Sequence, residues 1–208
     1  MVEVWIADAM PLMDEIIYKK YHENLPDRRK EKADRIRRSE NKALSVAAWA
    51  LWSYIKKEKN LPEDTIFNLS HSGHMVMCAF SDIPGTKVGC DLEEKGTFGE
   101  GVARRFFCES EYQYIMEASS EAEKRERFFR YWVLKESFMK ATREGMALDM
   151  RTYEIGWDER EVPYLMNKPE KFAETYYYKE YFHPGVNACM AVCTTDEEID
   201  KNLHILTL

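Results

Sequence analysis

YWVLKESFMK, residues 131–140, separates into two faces when read at helical spacing. Trp132, Glu136 and Lys140 follow one another at i, i+4 and i+8, whereas Leu134, Phe138 and the methylene stem of Lys135 point elsewhere. The pattern predicts a helix that carries an acid and a base one turn apart, anchored by a Trp. Two readings of the pair stay open at this point. It is either a routine i, i+4 helix-stabilising pair or one part of a site that other stretches complete.

The rest of the chain sets the frame for that helix. With 208 residues, 45% hydrophobic and 32% charged, it has enough apolar content for one large domain or two small ones. A net charge of −7 argues against a general nucleic-acid binder and leaves room for a local basic patch. No apolar run approaches the roughly 20 residues that span a bilayer, so no membrane association is expected. The start, MVEVWIADAM, lacks a basic region followed by an apolar stretch, so no signal peptide is expected either. Cys78, Cys90, Cys108, Cys189 and Cys193 form no CxxC pair, and most sit in apolar segments. Free thiols and a cytoplasmic location are the simplest account of them.

Apolar alternation predicts strands at 2–7, 66–69, 75–80, 87–92, 155–157, 175–181 and 188–193. Helices are expected at 10–21, 43–55 and 102–107, then over a charged stretch leading into 131–140. Ser70-His71-Ser72-Gly73 reads as a tight polar turn between two strands. A Ser–His nucleophile there is set aside, since no G-x-S-x-G elbow is present and sequence neighbours seldom have triad geometry. The fold class is α+β. Both halves run from helices into antiparallel strands, so a pseudo-repeat of subdomains 1–98 and 99–208 is expected.

Two further stretches carry chemistry. Residues 27–42, DRRKEKADRIRRSENK, hold Arg28, Arg29, Lys30, Lys32, Arg35, Arg37, Arg38 and Lys42 in an otherwise acidic chain. They form either a solvated helix face or a landing site for a polyanionic small molecule. Asp91 and Glu93, at i and i+2 of the strand KVGCDLE, share one face. Adjacent carboxylates repel unless a cation lies between them. A divalent ion such as Mg²⁺ suits hard oxygen donors of this kind, and a solvated strand end is the alternative.

Five stretches taken in order, FNLSHSG (67–73), VGCDLEE (88–94), RRFFCESEY (104–112), WVLKESFMK (132–140) and PGVNACMAVC (184–193), resemble the 4′-phosphopantetheinyl transferases of the surfactin-synthetase-activating type. The resemblance implies a pseudo-twofold pair of similar subdomains, each a small antiparallel sheet packed with helices, with coenzyme A between them. It implies transfer of the phosphopantetheine arm of coenzyme A to a serine of an apo acyl or peptidyl carrier protein, leaving adenosine 3′,5′-bisphosphate.

Carried over by residue, Asp91, Glu93 and Glu136 would hold Mg²⁺. Glu136 would also be the base, and Lys140, helped by Lys135, would neutralise the departing phosphate. His71 with Ser70 and Ser72 would contact the coenzyme A phosphates, with Arg28, Lys30 and Lys42 as further contacts. Phe98 in the loop 95–100 would anchor a carrier helix, and two halves in one chain make a monomer sufficient. The family's G-K-P segment ahead of the S-H-S strand is missing, since only NLPEDT (60–65) lies there, and Cys90 replaces a branched aliphatic. Two other readings of the same residues are a non-catalytic binder of carrier or coenzyme A, and a metal-dependent coenzyme A phosphohydrolase.

Overall fold

The computed structural model describes residues 1–208 and repeats one plan twice. The first half runs β1 (Val2–Asp8), α1 (Glu15–Glu23), α2 (Asp27–Asp34), α3 (Ser39–Glu58), β2 (Ile66–Ser72) and β3 (Met75–Ser81). The second runs β4 (Val88–Glu94), α4 (Glu100–Phe106), α5 (Glu109–Met116), α6 (Glu121–Thr142), β5 (Glu154–Trp157), β6 (Pro163–Asn167), β7 (Tyr177–Tyr181) and β8 (Ala188–Thr194). In each half the opening strand lies antiparallel to the second strand of a later hairpin, giving the orders β1-β3-β2 and β4-β8-β7. A long helix, α3 or α6, covers the outer face of each sheet. A last strand, β9 (Ile199–Leu206), crosses back to pair parallel with β1.

Three apolar layers hold this arrangement together. Leu51, Trp52 and Ile55 of α3 pack on Val76, Cys78 and Phe80 of β3. Leu134 and Phe138 of α6 pack with Ala191 and Cys193 of β8. Val4, Ile6, Met77 and Ala79 of one sheet meet Cys90, Leu92, Met190 and Val192 of the other, which seals the two halves face to face. β3 and β8 are therefore buried along their whole lengths, and this is why they read as unbroken apolar runs.

Several elements differ from the expectation. The helix expected at 10–21 is a 3₁₀ turn followed by α1, because the Asp14 side chain accepts from the Ile16 and Ile17 amides and restarts the helix there. Ser70, His71 and Ser72 are strand residues paired with Met77, Val76 and Met75, so the turn shrinks to Gly73-His74. Gly73 takes φ +58°, a conformation glycine adopts without a Cβ clash. β6 and β9 were not anticipated, since Pro163 and the polar content of IDKNLHIL obscure their alternation. β4, grouped with the first half by the division at 98, pairs with β8 of the second.

Beside β9, Glu3, Asp200 and His204 draw together, with Lys59 at 3.0 Å from Glu3 and the His204 ring stacked on Trp5. This cluster fastens the last strand to β1. No helix is long and apolar enough to cross a membrane.

Candidate active site

Gly89, Asp91 and Glu93 alternate along one face of β4, the face that α6 covers. A Cβ at Gly89 would stand 2.1 Å from the Ser137 carbonyl oxygen and 2.3 Å from the Ala141 nitrogen, so only glycine admits α6 at this distance. That close approach sets Glu136 and Lys140 over the two β4 carboxylates. The helix faces read from the sequence are realised. Trp132, Glu136 and Lys140 are half-buried at the site, while Leu134 and Phe138 are fully buried in the core.

Asp91 is 3% exposed. Its Oδ1 accepts from Ser70 Oγ at 2.8 Å and from Lys140 Nζ at 2.7 Å, and its buried Oδ2 has no partner. Glu93 accepts from Ser72 Oγ at 2.7 Å. Burial pushes the Glu93 carboxyl above its ordinary range, against the Ser72 hydrogen bond and with the Asp91 charge adding to the rise. Glu136 is pushed up in the same way, by burial first and by Asp91 next. Lys140 loses hydration on burial, but the charge of Asp91 outweighs this and holds the ammonium above its usual range. Three carboxylates thus share one lysine, with an orphaned buried oxygen among them. By its chemistry that donor set, all hard oxygens with surplus negative charge, suits a divalent cation such as Mg²⁺. The three carboxylates do not bring their oxygens within 4.8 Å of one another, as Glu3, Asp200 and His204 do their ligand atoms.

The edge of β4 is closed by side chains of β2 in place of a backbone ladder. The Cys90 amide donates to Asn68 Oδ1 at 3.0 Å, the Leu92 amide to Ser70 Oγ at 3.4 Å and the Glu94 amide to Ser72 Oγ at 3.1 Å. Asn68, Ser70 and Ser72 are alternate residues of one strand, so they meet alternate amides of the other. Ser70 and Ser72, expected at substrate phosphates, are found here with the carboxylates.

His71 alternates away from those serines and is exposed. Partial burial, the Lys140 ammonium and Lys32 hold its imidazole below the ordinary range. Lys32 belongs to α2, so the basic run comes close enough to act on His71. Arg28, Arg29, Lys32 and Arg35 line a cleft of ≈ 670 Å³ floored by Trp49, with the Arg29 guanidinium 4.3 Å from the indole ring centre. Of the three basic contacts expected, Arg28 lines this cleft. Lys30 turns to Asp27 at 3.7 Å, and Lys42, in the first turn of α3, lies outside it. Arg29, Lys32 and Arg35 stand in the basic run but not among its expected contacts, although Arg28, Lys32 and Arg35 lie at i, i+4 and i+7.

Lys135, expected beside Lys140, points the other way. Its side chain is 0% exposed and its Nζ meets Glu111 at 2.9 Å, the Met150 carbonyl at 2.8 Å and the Tyr153 carbonyl at 2.7 Å. An ammonium has three donors, and all three are engaged. Residue 135 lies about 100° around the helix from residue 136, so the two side chains diverge. Phe98 packs against Phe128 at a ring-centre distance of 5.4 Å and supports the core in part. On the Trp132 side of Glu136 a cavity of ≈ 480 Å³ opens, lined by Met139, Met146, Leu148 and Met150.

A family model described as the 4′-phosphopantetheinyl transferase superfamily matches residues 87–193. The chain is 28% identical over 144 residues to the 4′-phosphopantetheinyl transferase Sfp of Bacillus subtilis (strain 168), covering 69% of this chain and 61% of that protein. It is 34% identical over 142 residues to psf-1 of Bacillus pumilus, covering 68% and 58% respectively. It is 36% identical over 106 residues to HetI of Nostoc sp. (strain PCC 7120), covering 50% and 43%. The chain thus spans about three fifths of the length of the Bacillus relatives it matches. The family match takes in β4, α6 and β8, the elements that build the carboxylate cluster, and on that ground the chain belongs to the 4′-phosphopantetheinyl transferase superfamily.

Proposed function

We propose that the protein transfers the 4′-phosphopantetheine arm of coenzyme A to a serine hydroxyl of an apo acyl or peptidyl carrier protein, with Mg²⁺ as cofactor. The observation that carries this is the buried, partnerless Oδ2 of Asp91 beside two further desolvated carboxylates. Asp91, Glu93 and Glu136 would hold the ion, which when bound neutralises the pyrophosphate and polarises the phosphorus under attack. The bond formed joins the serine oxygen to the β-phosphorus. The bond broken frees adenosine 3′,5′-bisphosphate. Glu136 takes the serine proton on a carboxylate oxygen, and Lys140 Nζ offers charge and a proton to the departing phosphate. The cationic cleft on α2 and His71 receive the nucleotide phosphates, and the methionine-lined cavity beside Glu136 receives the pantetheine arm.

One chain contains both halves of the cleft, so a monomer suffices. Five unpaired cysteines fit a reducing, cytoplasmic setting. Neither nucleic acid nor membrane is part of the proposal.

The direct test is the intact mass of an apo acyl carrier protein and an apo peptidyl carrier protein after incubation with this protein, coenzyme A and Mg²⁺. Gain of one phosphopantetheinyl group, prevented by EDTA, is the expected result. Free 4′-phosphopantetheine released without any carrier would overturn it in favour of hydrolysis.

His71 supplies a second test. A charge-assisted hydrogen bond is worth about 1.5–3 kcal/mol, so His71→Ala should raise KM for coenzyme A about 10- to 100-fold. KM for 3′-dephospho-coenzyme A should stay nearly constant. Because the imidazole is held low, it gains its charge only as pH falls. Preference for coenzyme A over the dephospho form should therefore grow toward acid pH in the native protein and not in the variant. Equal effects on both donors would remove His71 from the 3′-phosphate.

A further inference from the structure

We infer that Ser70 and Ser72 are positioning residues for the carboxylates, leaving His71 as the one member of Ser-His-Ser that reads the nucleotide. This rests on the proposed metal and coenzyme A site and assigns the work within it.

A serine hydroxyl has one hydrogen to donate and lone pairs with which to accept. An ionised carboxylate only accepts, so the Ser70 proton goes to Asp91 Oδ1 at 2.8 Å. Backbone amides and ammonium groups only donate, so Ser70 Oγ accepts from Leu92 N at 3.4 Å and from Lys140 Nζ at 2.9 Å. The Ser72 proton goes to Glu93 Oε2 at 2.7 Å, and its oxygen accepts from Glu94 N at 3.1 Å. Phosphate oxygens need donors, and neither hydroxyl has one left. Ser70 is also only 6% exposed. His71 alternates away from the two serines, and the charges of Lys140 and Lys32 reach its imidazole.

The two serines thus do two things at once. They satisfy the amides of the β4 edge, and they aim one oxygen of each carboxylate, with the other oxygen of Asp91 left without a partner. They also tie the metal centre in the second half to β2 of the first.

The test separates metal binding from phosphate binding on Ser72→Ala, Ser72→Thr and His71→Ala proteins. Mn²⁺, as a spectroscopic substitute for Mg²⁺, is titrated by electron paramagnetic resonance without turnover. Coenzyme A and 3′-dephospho-coenzyme A are titrated calorimetrically in EDTA. Loss of an outer partner of a metal ligand weakens metal binding about 10- to 100-fold, the range expected for Ser72→Ala. Ser72→Thr, which keeps the hydroxyl, should restore most of it. The affinity ratio of the two nucleotides should be unchanged in both Ser72 variants and should collapse in His71→Ala. A Ser72→Ala protein that loses the preference for coenzyme A would overturn the inference. So would one that folds normally by circular dichroism and binds Mn²⁺ as well as the native protein. Native protein that binds coenzyme A but no Mn²⁺ would sink the metal reading itself, which needs no variant to see, and the inference with it.

Discussion

Lys135→Ala is expected to destabilise the fold by about 3–5 kcal/mol, the usual cost of leaving a buried charge without its partner. Glu111, 1% exposed, would keep only the Cys108 and Ile155 amides once the ammonium is gone. The Met150 and Tyr153 carbonyls would lose their donor as well. For a domain of this size the loss corresponds to a melting temperature lower by about 6–20 °C. Thermal and urea unfolding of the purified variant would measure it. A second variant, Lys135→Met with Glu111→Gln, removes both charges and keeps an acceptor for one amide, so it should recover much of the lost stability. The alternative, in which Lys135 acts on the departing phosphate, makes the opposite forecast. It requires a variant of native stability with a reduced kcat.

Glu136→Gln should lower kcat by about 10²–10⁴-fold, the range contributed by a positioned general base. The same change should make the metal-free protein more stable near neutral pH. Burial and Asp91 raise the Glu136 carboxyl above its ordinary range, so the folded protein binds a proton that the unfolded chain has already released. In the window between those two values the unfolded state holds fewer protons, and stability falls as pH rises. Glutamine cannot ionise and removes that slope contribution. Melting curves in EDTA from pH 5 upward should therefore show native and variant proteins diverging, with the variant the more stable at the alkaline end. Activity lost and stability gained at one residue is the pattern of a group held for chemistry. A variant that retains normal turnover would exclude Glu136 both as base and as ligand.

Much of this was written in local spacing. The two faces of 131–140, the shared face of Asp91 and Glu93, the basic character of 27–42 and the repeated helix-to-strand plan each follow from residues a few positions apart. Periodicity records which way a side chain points relative to its own element. It carries no record of what that side chain meets.

Partners distant in the chain were decided by the tertiary structure alone. Lys135 is adjacent to Glu136 in sequence, yet Glu111 on another helix and the carbonyls beyond α6 determine its role. Ser70 and Ser72 have the composition of a turn. Pairing with β3 extends them into a strand, and the open edge of β4 then claims their hydroxyls. The physical reason is the same in each case. A buried donor or acceptor must find a partner wherever the fold supplies one. The identity of that partner depends on which elements pack together, a property of the whole chain that no short stretch encodes.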